Sequence, residues 1–368
     1  MKSRDSERKG NLESVSLPTE YVPKAVEHFE AERIILSKGS LDTAEREAFV
    51  RRICEVYPRA KVEEQPDTPA SHVVIEAPNP FIRNKRGKKT LVLGELQEAV
   101  RCTENVECIR PAYWHFSIYS NCPYGCQYCY LGGTRGVWFS PGVRVYLNLR
   151  DITARIDKVA GDAGKPTAFF LGRLQDGLAL DPLTGYSTAL VPFFARHRFA
   201  RQILLTKSDA VDNLLELDHQ GNTIMCWTLN IPEVAESYES KVPTVEARIV
   251  AMERCAERGY PVRALIRPVI THEKWRNSYI DFVEHLVSRV PLQRLGFGGM
   301  YSNGRVAYLT RRELGGQYNV FFGAGAGRER CSSARWYRCA ECRKHYGDLV
   351  DAALVVRPEL EVGPCHIL

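Results

Sequence analysis

A chain of 368 residues with 44% apolar and 26% charged content has the composition of a globular protein of one large or two moderate domains. No run of about 18 uncharged apolar residues occurs, which excludes a membrane-spanning helix, and the polar opening Met-Lys-Ser-Arg-Asp-Ser-Glu-Arg-Lys-Gly10 does not read as a secretory signal. A formal net charge of +6 permits an anionic partner without demanding one, and the 12 cysteines are expected reduced, in a cytoplasmic setting, available to metal rather than disulfides.

Residues 1–20 are polar and patternless and predict a disordered tail. Residues 21–110 read as a mixed α/β region, with helical periodicity over 42–56 and strands over 72–76 and 90–93. Within it Arg83, Lys85, Arg86, Lys88 and Lys89 crowd one segment without an acid, the pattern of a solvated basic loop. Residues 111–300 then alternate between β-prone runs at 115–120, 168–172, 202–207, 224–230, 262–270 and 293–300 and helical stretches at 151–161, 186–197, 244–259 and 279–290. Six strands in that order predict an α/β fold built as an open, partial (β/α)6 barrel, with its chemistry at the carboxyl ends of the strands. Residues 301–368 break the alternation and predict an irregular segment, with a second basic stretch and a second cysteine group.

After the first barrel strand comes Asn121-Cys-Pro-Tyr-Gly-Cys-Gln-Tyr-Cys-Tyr-Leu131. Cys122, Cys126 and Cys129, separated by three and then two residues, can hold three irons of a 4Fe–4S cubane and leave the fourth without a protein ligand. Pro123 and Gly125 force an irregular loop, which lets the sulfurs converge. A structural zinc site would want a fourth ligand, and the loop offers no obvious one.

This loop resembles the cluster motif of the radical S-adenosylmethionine (SAM) superfamily. With Leu204-Leu-Thr-Lys-Ser-Asp209 and Cys226-Trp-Thr-Leu-Asn230, it resembles the spore photoproduct lyase family over roughly residues 90–300. The resemblance implies a 4Fe–4S cluster on the three cysteines, with SAM chelated at the open iron and split reductively at a carbon–sulfur bond. It also implies an electron donor such as flavodoxin or ferredoxin. Lys207 falls where the family lysine meets the SAM carboxylate, as a charge-assisted donor. Thr228 and Asn230 match the strand-end pair that hydrogen-bonds SAM, and alternation would put both on one face. Tyr128 and Tyr130 match two tyrosines that can help return a hydrogen atom.

One departure alters the chemistry. The lyases, whose founding activity reverses a thymine–thymine lesion in spore DNA, carry a hydrogen-donating cysteine followed closely by an aspartate. If Asp176 and Asp181 align with the family's acids, Arg173 stands in the cysteine's place. A guanidinium cannot surrender a hydrogen atom, but it fixes carboxylate or phosphate in a bidentate grip. Arg267 ends another strand toward the same mouth. Together they point to an anionic or nucleotide-like substrate, a small molecule or nucleic acid.

Cys331, Cys339 and Cys342, with His345 nearby and Cys365 as a competing ligand, predict a second metal or metalloid site: zinc, an auxiliary iron–sulfur cluster, or a thiophilic centre such as arsenic. A thiophilic substrate would suit transfer of the 3-amino-3-carboxypropyl group of SAM. The non-enzymatic alternative is an iron–sulfur protein that binds nucleic acid or senses metal. Cys54, Cys102, Cys108 and Cys255 read as core or linker residues, and Cys226 as a weak candidate hydrogen donor.

Overall fold

The computed structural model describes residues 15–103, 113–270, 275–315, 326–331 and 334–364, with the side chains of all but residues 301, 326–345 and 364. The chain opens with β1 (Arg33–Ser37), α1 (Ala44–Val56), β2 (Lys61–Gln65), α2 (Pro80–Gly87) and β3 (Thr90–Gly94). Thr43 caps α1 by accepting from the Arg46 N–H, and the helix buries Phe49, Val50 and Ile53. Next come β4 (Val100–Cys102), β5 (Trp114–Phe116), β6 (Tyr119–Ser120), β7 (Gly125–Cys126), α3 (Arg135–Phe139) and β8 (Val143–Tyr146). A first sheet runs in the order β2-β1-β3-β8-β6, so strands from beyond residue 110 complete it.

Helices and strands then alternate through α4 (Leu149–Ala163), β9 (Thr167–Leu171), α5 (Asp181–Thr184), α6 (Tyr186–Arg196), β10 (Ala200–Thr206) and β11 (Thr223–Leu229). The series continues with α7 (Pro232–Tyr238), β12 (Glu239–Ser240), α8 (Val245–Glu257), β13 (Val262–Ile266), α9 (Trp275–Arg289) and β14 (Arg294–Phe297). The end of the chain adds β15 (Met300–Ser302), α10 (Gly304–Leu314), β16 (Ala326–Cys331), β17 (Ala334–Cys339), α11 (Ala340–Val356) and β18 (Glu361–Pro364). A second sheet of eight strands runs β18-β14-β13-β11-β10-β9-β5-β4, parallel from β5 to β18 with β4 antiparallel at its edge.

Because side chains alternate along a strand, this sheet has two apolar faces. One carries Phe169, Leu171, Leu204, Met225, Trp227, Ala264 and Ile266 into the main core. The other gathers Phe170, Ile203, Cys226 and Leu265 in a separate cluster. In register, Phe170 lies opposite His115 and Ile203, and Cys226 opposite Leu205 and Arg263. Because β5 to β18 run parallel, the loops that follow them leave the sheet at one edge, where the candidate site lies.

Three expectations need correction. Residues 72–76 form no strand, although Val73 and Ile75 are buried. The stretch is held by side chains rather than by a ladder: Ser140 Oγ donates to Val73 O at 2.5 Å, and Arg144 Nε to Ala70 O at 2.8 Å. The described part of the C-terminal segment is not irregular, since it carries β15 to β18 and two helices, and β18 extends the large sheet. The six expected strands are joined by β4 and β18. In addition Val15 and Leu17, expected with the tail, are buried, and the Leu17 N–H donates to Glu45 Oε1 at 2.9 Å.

Candidate active site

The cysteine loop is fastened at each turn. Asn121 enters it at φ 63°, a left-handed conformation that asparagine tolerates better than most residues. Its backbone N–H donates to Leu174 O at 2.9 Å and its amide to Pro141 O, tying the loop to the segment after β9. A Cβ added to Gly125 would lie 2.3 Å from Ser240 Oγ, so β7 lies flush against β12 with Cys126 opposite Glu239. Lys88 Nζ donates to Cys122 O and, at 2.9 Å, to Tyr124 O. From the other side Thr310 donates to Gln127 O at 3.0 Å, and a Cβ on Gly133 would lie 2.4 Å from Val306 of α10.

The thiols collect around one small apolar cluster of Cys122, Tyr124, Leu131 and Ala179, against which Cys126 and Cys129 pack. Burial pushes the Cys122 thiol well up, and pushes Cys126 up to about 12 despite the opposing pull of Lys207. Such thiols stay neutral until a metal supplies compensating charge. Among the described residues no three His, Cys, Asp or Glu side chains could hold a single metal ion. A cubane makes a different demand, one thiolate per iron, and three thiols on one clamped, apolar-backed loop suit that demand.

Beside the loop lies a buried charge cluster. Glu239, with its side chain 0% exposed, meets Lys207 Nζ at 2.5 Å and Arg248 Nη2 at 2.6 Å. Tyr128 donates its hydroxyl to the same carboxylate, and Lys207 Nζ lies 3.2 Å from that hydroxyl. Burial alone would raise the Glu239 pKa, but Lys207 and Arg248 outweigh it and hold the group at about 2. Two cations against one carboxylate leave the cluster with residual positive charge, which favours an arriving anion. Arg248 Nη1 also reaches Thr228 O at 3.4 Å and its Nε donates to Pro243 O at 2.8 Å, joining α8 to the end of β11.

Asp176 sets the Lys207 backbone. Its Oδ2 accepts from the Lys207 N–H at 2.7 Å, and its Oδ1 accepts from Thr206 Oγ1 at 2.6 Å and from the N–H groups of Leu178 and Ala179 at 3.0 and 2.9 Å. Burial raises its pKa, and those donors pull it back. Asp181 is spent inside the fold on Ser187 and Asn213. Tyr130 donates its hydroxyl to Arg173 O, and Arg173 lies over the Tyr113 ring, 5.8 Å from its centre. Burial raises the pKa of the Tyr130 phenol, and the charges of Arg267 and Arg173 oppose that rise. His115, buried with no hydrogen bond at Nδ1, is driven down to about 4 by burial and then by Arg173 and Arg101.

Thr228 lies in register with Leu265, on the face of the smaller apolar cluster. Asn230 lies one residue beyond the end of β11 and is fully buried. Its amide donates to Pro268 O at 2.8 Å, while its Oδ1 accepts from the Tyr279 hydroxyl at 2.5 Å and the Ile231 N–H at 3.0 Å. The expected second metal or metalloid at Cys331, Cys339 and Cys342 falls on side chains outside the described residues, as do His345 and Cys365.

Comparison with known proteins fits this geometry. A family model described as spore photoproduct lyase matches residues 42–296. The chain belongs to the spore photoproduct lyase family. It is 29% identical over 210 residues to the spore photoproduct lyase of Geobacillus sp., covering 56% of this chain and 60% of the relative. It is 28% identical over 219 residues to that of Bacillus subtilis, covering 59% and 62%. The chain thus matches about 60% of the length of these relatives. The fold extends further: spore photoproduct lyase complexed with dinucleoside spore photoproduct superposes with a TM-score of 0.80 at 21% identity, covering 91% of this chain and 99% of that one. A double mutant with bound AdoMet and dinucleoside spore photoproduct gives a TM-score of 0.78 at 21% identity, covering 91% and 99%.

Within this candidate site, sequence reasoning passed over Lys88, Glu239 and Arg248. Lys88 was visible only as part of a basic run. Glu239 and Arg248 carry no local signal, since their partners come from other elements.

Proposed function

We propose that this chain is a radical SAM enzyme on a partial (β/α)6 barrel, acting on an anionic or nucleotide-like substrate. The observation that carries this reading is the clamped three-cysteine loop set directly against the net-positive Lys207–Glu239–Arg248 cluster. Cys122, Cys126 and Cys129 would hold a 4Fe–4S group, which when bound delivers one electron to a sulfonium and so breaks a carbon–sulfur bond. Lys207 would share its ammonium between Glu239 and the SAM carboxylate, with Asp176 fixing its backbone and Arg248 holding Glu239 in place. Thr228 supplies a polar group at the same strand end, and Asn230 shapes the turn behind it.

Arg173 and Arg267, whose charges both act on Tyr130, would grip the substrate's anionic group. Arg173 takes the position of the family's donor cysteine, so the reaction ends differently from lesion repair. The Tyr128 and Tyr130 hydroxyls are engaged with Glu239 and with Arg173 O, so either phenol must leave its acceptor before it could return a hydrogen atom.

Anaerobic reconstitution with iron, sulfide, dithionite and SAM, followed by mass spectrometry of the nucleosides, tests the reading. Release of 5′-deoxyadenosine is the expected result. 5′-Methylthioadenosine would indicate carboxypropyl transfer, and absence of both from a protein carrying cluster and SAM would overturn enzymatic SAM cleavage.

A further inference from the structure

The three helices around the cysteine loop also build an outward face. Lys88 follows α2 and reaches the loop, α3 continues from it, and α10 packs on it through Thr310 and Val306. On this face Lys85, Arg86, Arg135, Arg311 and Arg312 are exposed and Arg305 is half-buried. The single acidic residue in the three helices is Glu313, paired with Lys85 at 2.7 Å. Three of the cations stand over aromatic rings. Lys85 and Arg312 stand 5.4 and 5.8 Å from the centre of Phe81, and Arg305 stands 5.6 Å from Trp138 and 5.3 Å from Phe139. Phe139 is 56% exposed and Tyr308 37%, and Tyr308 meets Trp138 edge-on at 6.0 Å.

We infer that this face is the docking surface for an acidic one-electron carrier protein. The inference rests on the radical SAM reading above, which requires a reductant. Exposed aromatics interleaved with arginine mark a contact patch, and its charge selects an acidic partner. Its position selects a redox partner: α10 touches the loop at Gln127, the residue after Cys126, so a carrier seated here is separated from the cysteines by one helix. One electron leaves the carrier and enters the cluster, and no bond or proton is exchanged. Single-stranded nucleic acid is the less suited occupant, because bases stack on free ring faces and these rings already carry Lys85, Arg305 and Arg312.

The test uses the full chain, reduced flavodoxin as the acidic probe, and the double variant Arg305→Glu/Arg312→Glu, which leaves Lys88, Thr310 and Val306 in place. Dithionite should bleach the cluster of the variant at the wild-type rate. Reduction by flavodoxin should fall about tenfold or more. Anisotropy of labelled flavodoxin should show binding to the wild type that weakens with salt and is lost in the variant. Phe139→Ala, an exposed and uncharged change, should weaken binding without altering the dithionite rate. Flavodoxin reducing and binding the double variant as it does the wild type would overturn the assignment. So would a single-stranded oligonucleotide that binds this face while flavodoxin does not. The anisotropy needs no cluster, so it decides the docking surface even if the wild type fails to cleave SAM, a result that would sink the radical reading instead.

Discussion

Helix α8 takes part in two charge clusters made from similar parts in opposite settings. Inside, Arg248 and Lys207 share Glu239, with side chains 1%, 13% and 0% exposed. Outside, Arg289 of α9 grips Glu253 through two bonds of 2.8 Å and Glu246 through bonds of 2.7 and 2.8 Å. The outer cluster is in water's reach, and such pairs contribute little because solvent screens them and the side chains lose freedom. The inner cluster has left water, so desolvation opposes it and removing one member leaves a bare charge. A fold gains little net stability from such an arrangement. Its place beside the cysteine loop suits the proposed function, in which it would keep a cation in a dry site ready for an anion.

The contrast can be broken from the inside first. Glu239→Gln should cost roughly 3–5 kcal/mol in urea unfolding, because two buried cations lose their counter-charge. Lys88→Met removes a charged donor from Cys122 O and Tyr124 O, and should cost about 1.5–3 kcal/mol and lower the iron retained after reconstitution. At the other extreme Arg289→Ala should cost less than about 1 kcal/mol, and less still in high salt.

Acid should separate the clusters too. Glu239 has a folded pKa of about 2 against an ordinary 4.5, so its contribution is complete above 4.5 and lost as pH falls toward 2. His115, held near 4 against an ordinary 6.5, acts with the same sign: the unfolded chain takes up a proton first as pH falls from 6.5. Stability should therefore decline from about pH 6.5 and steepen below 4.5, with the steeper limb missing in Glu239→Gln. A wild-type limb that survives in this variant would show that other carboxylates carry it.

The readable parts of this site are those with local signals. Cys122, Cys126 and Cys129 sit within eight residues, and their spacing states their purpose. Strands β9, β10, β11, β13 and β14 follow from β-prone runs in a sheet with apolar residues on both faces. Lys207 was legible only through the family motif. Glu239 was not legible, since it is one of 44 acids and its three partners come from the cysteine loop, the end of β10 and α8. Residues 72–76 were misread because the alternation of buried Val73 and Ile75 with exposed Val74 looks the same whether a ladder or a side chain such as Ser140 satisfies a carbonyl.

The most direct test of the cysteine loop is electron paramagnetic resonance of the reconstituted, dithionite-reduced chain, with and without SAM. A SAM ligand at the open iron should shift the signal of the wild type, and that SAM-sensitive signal should vanish in Cys122→Ala. A SAM-sensitive signal of full strength in Cys122→Ala would contradict a SAM-binding cluster on this loop.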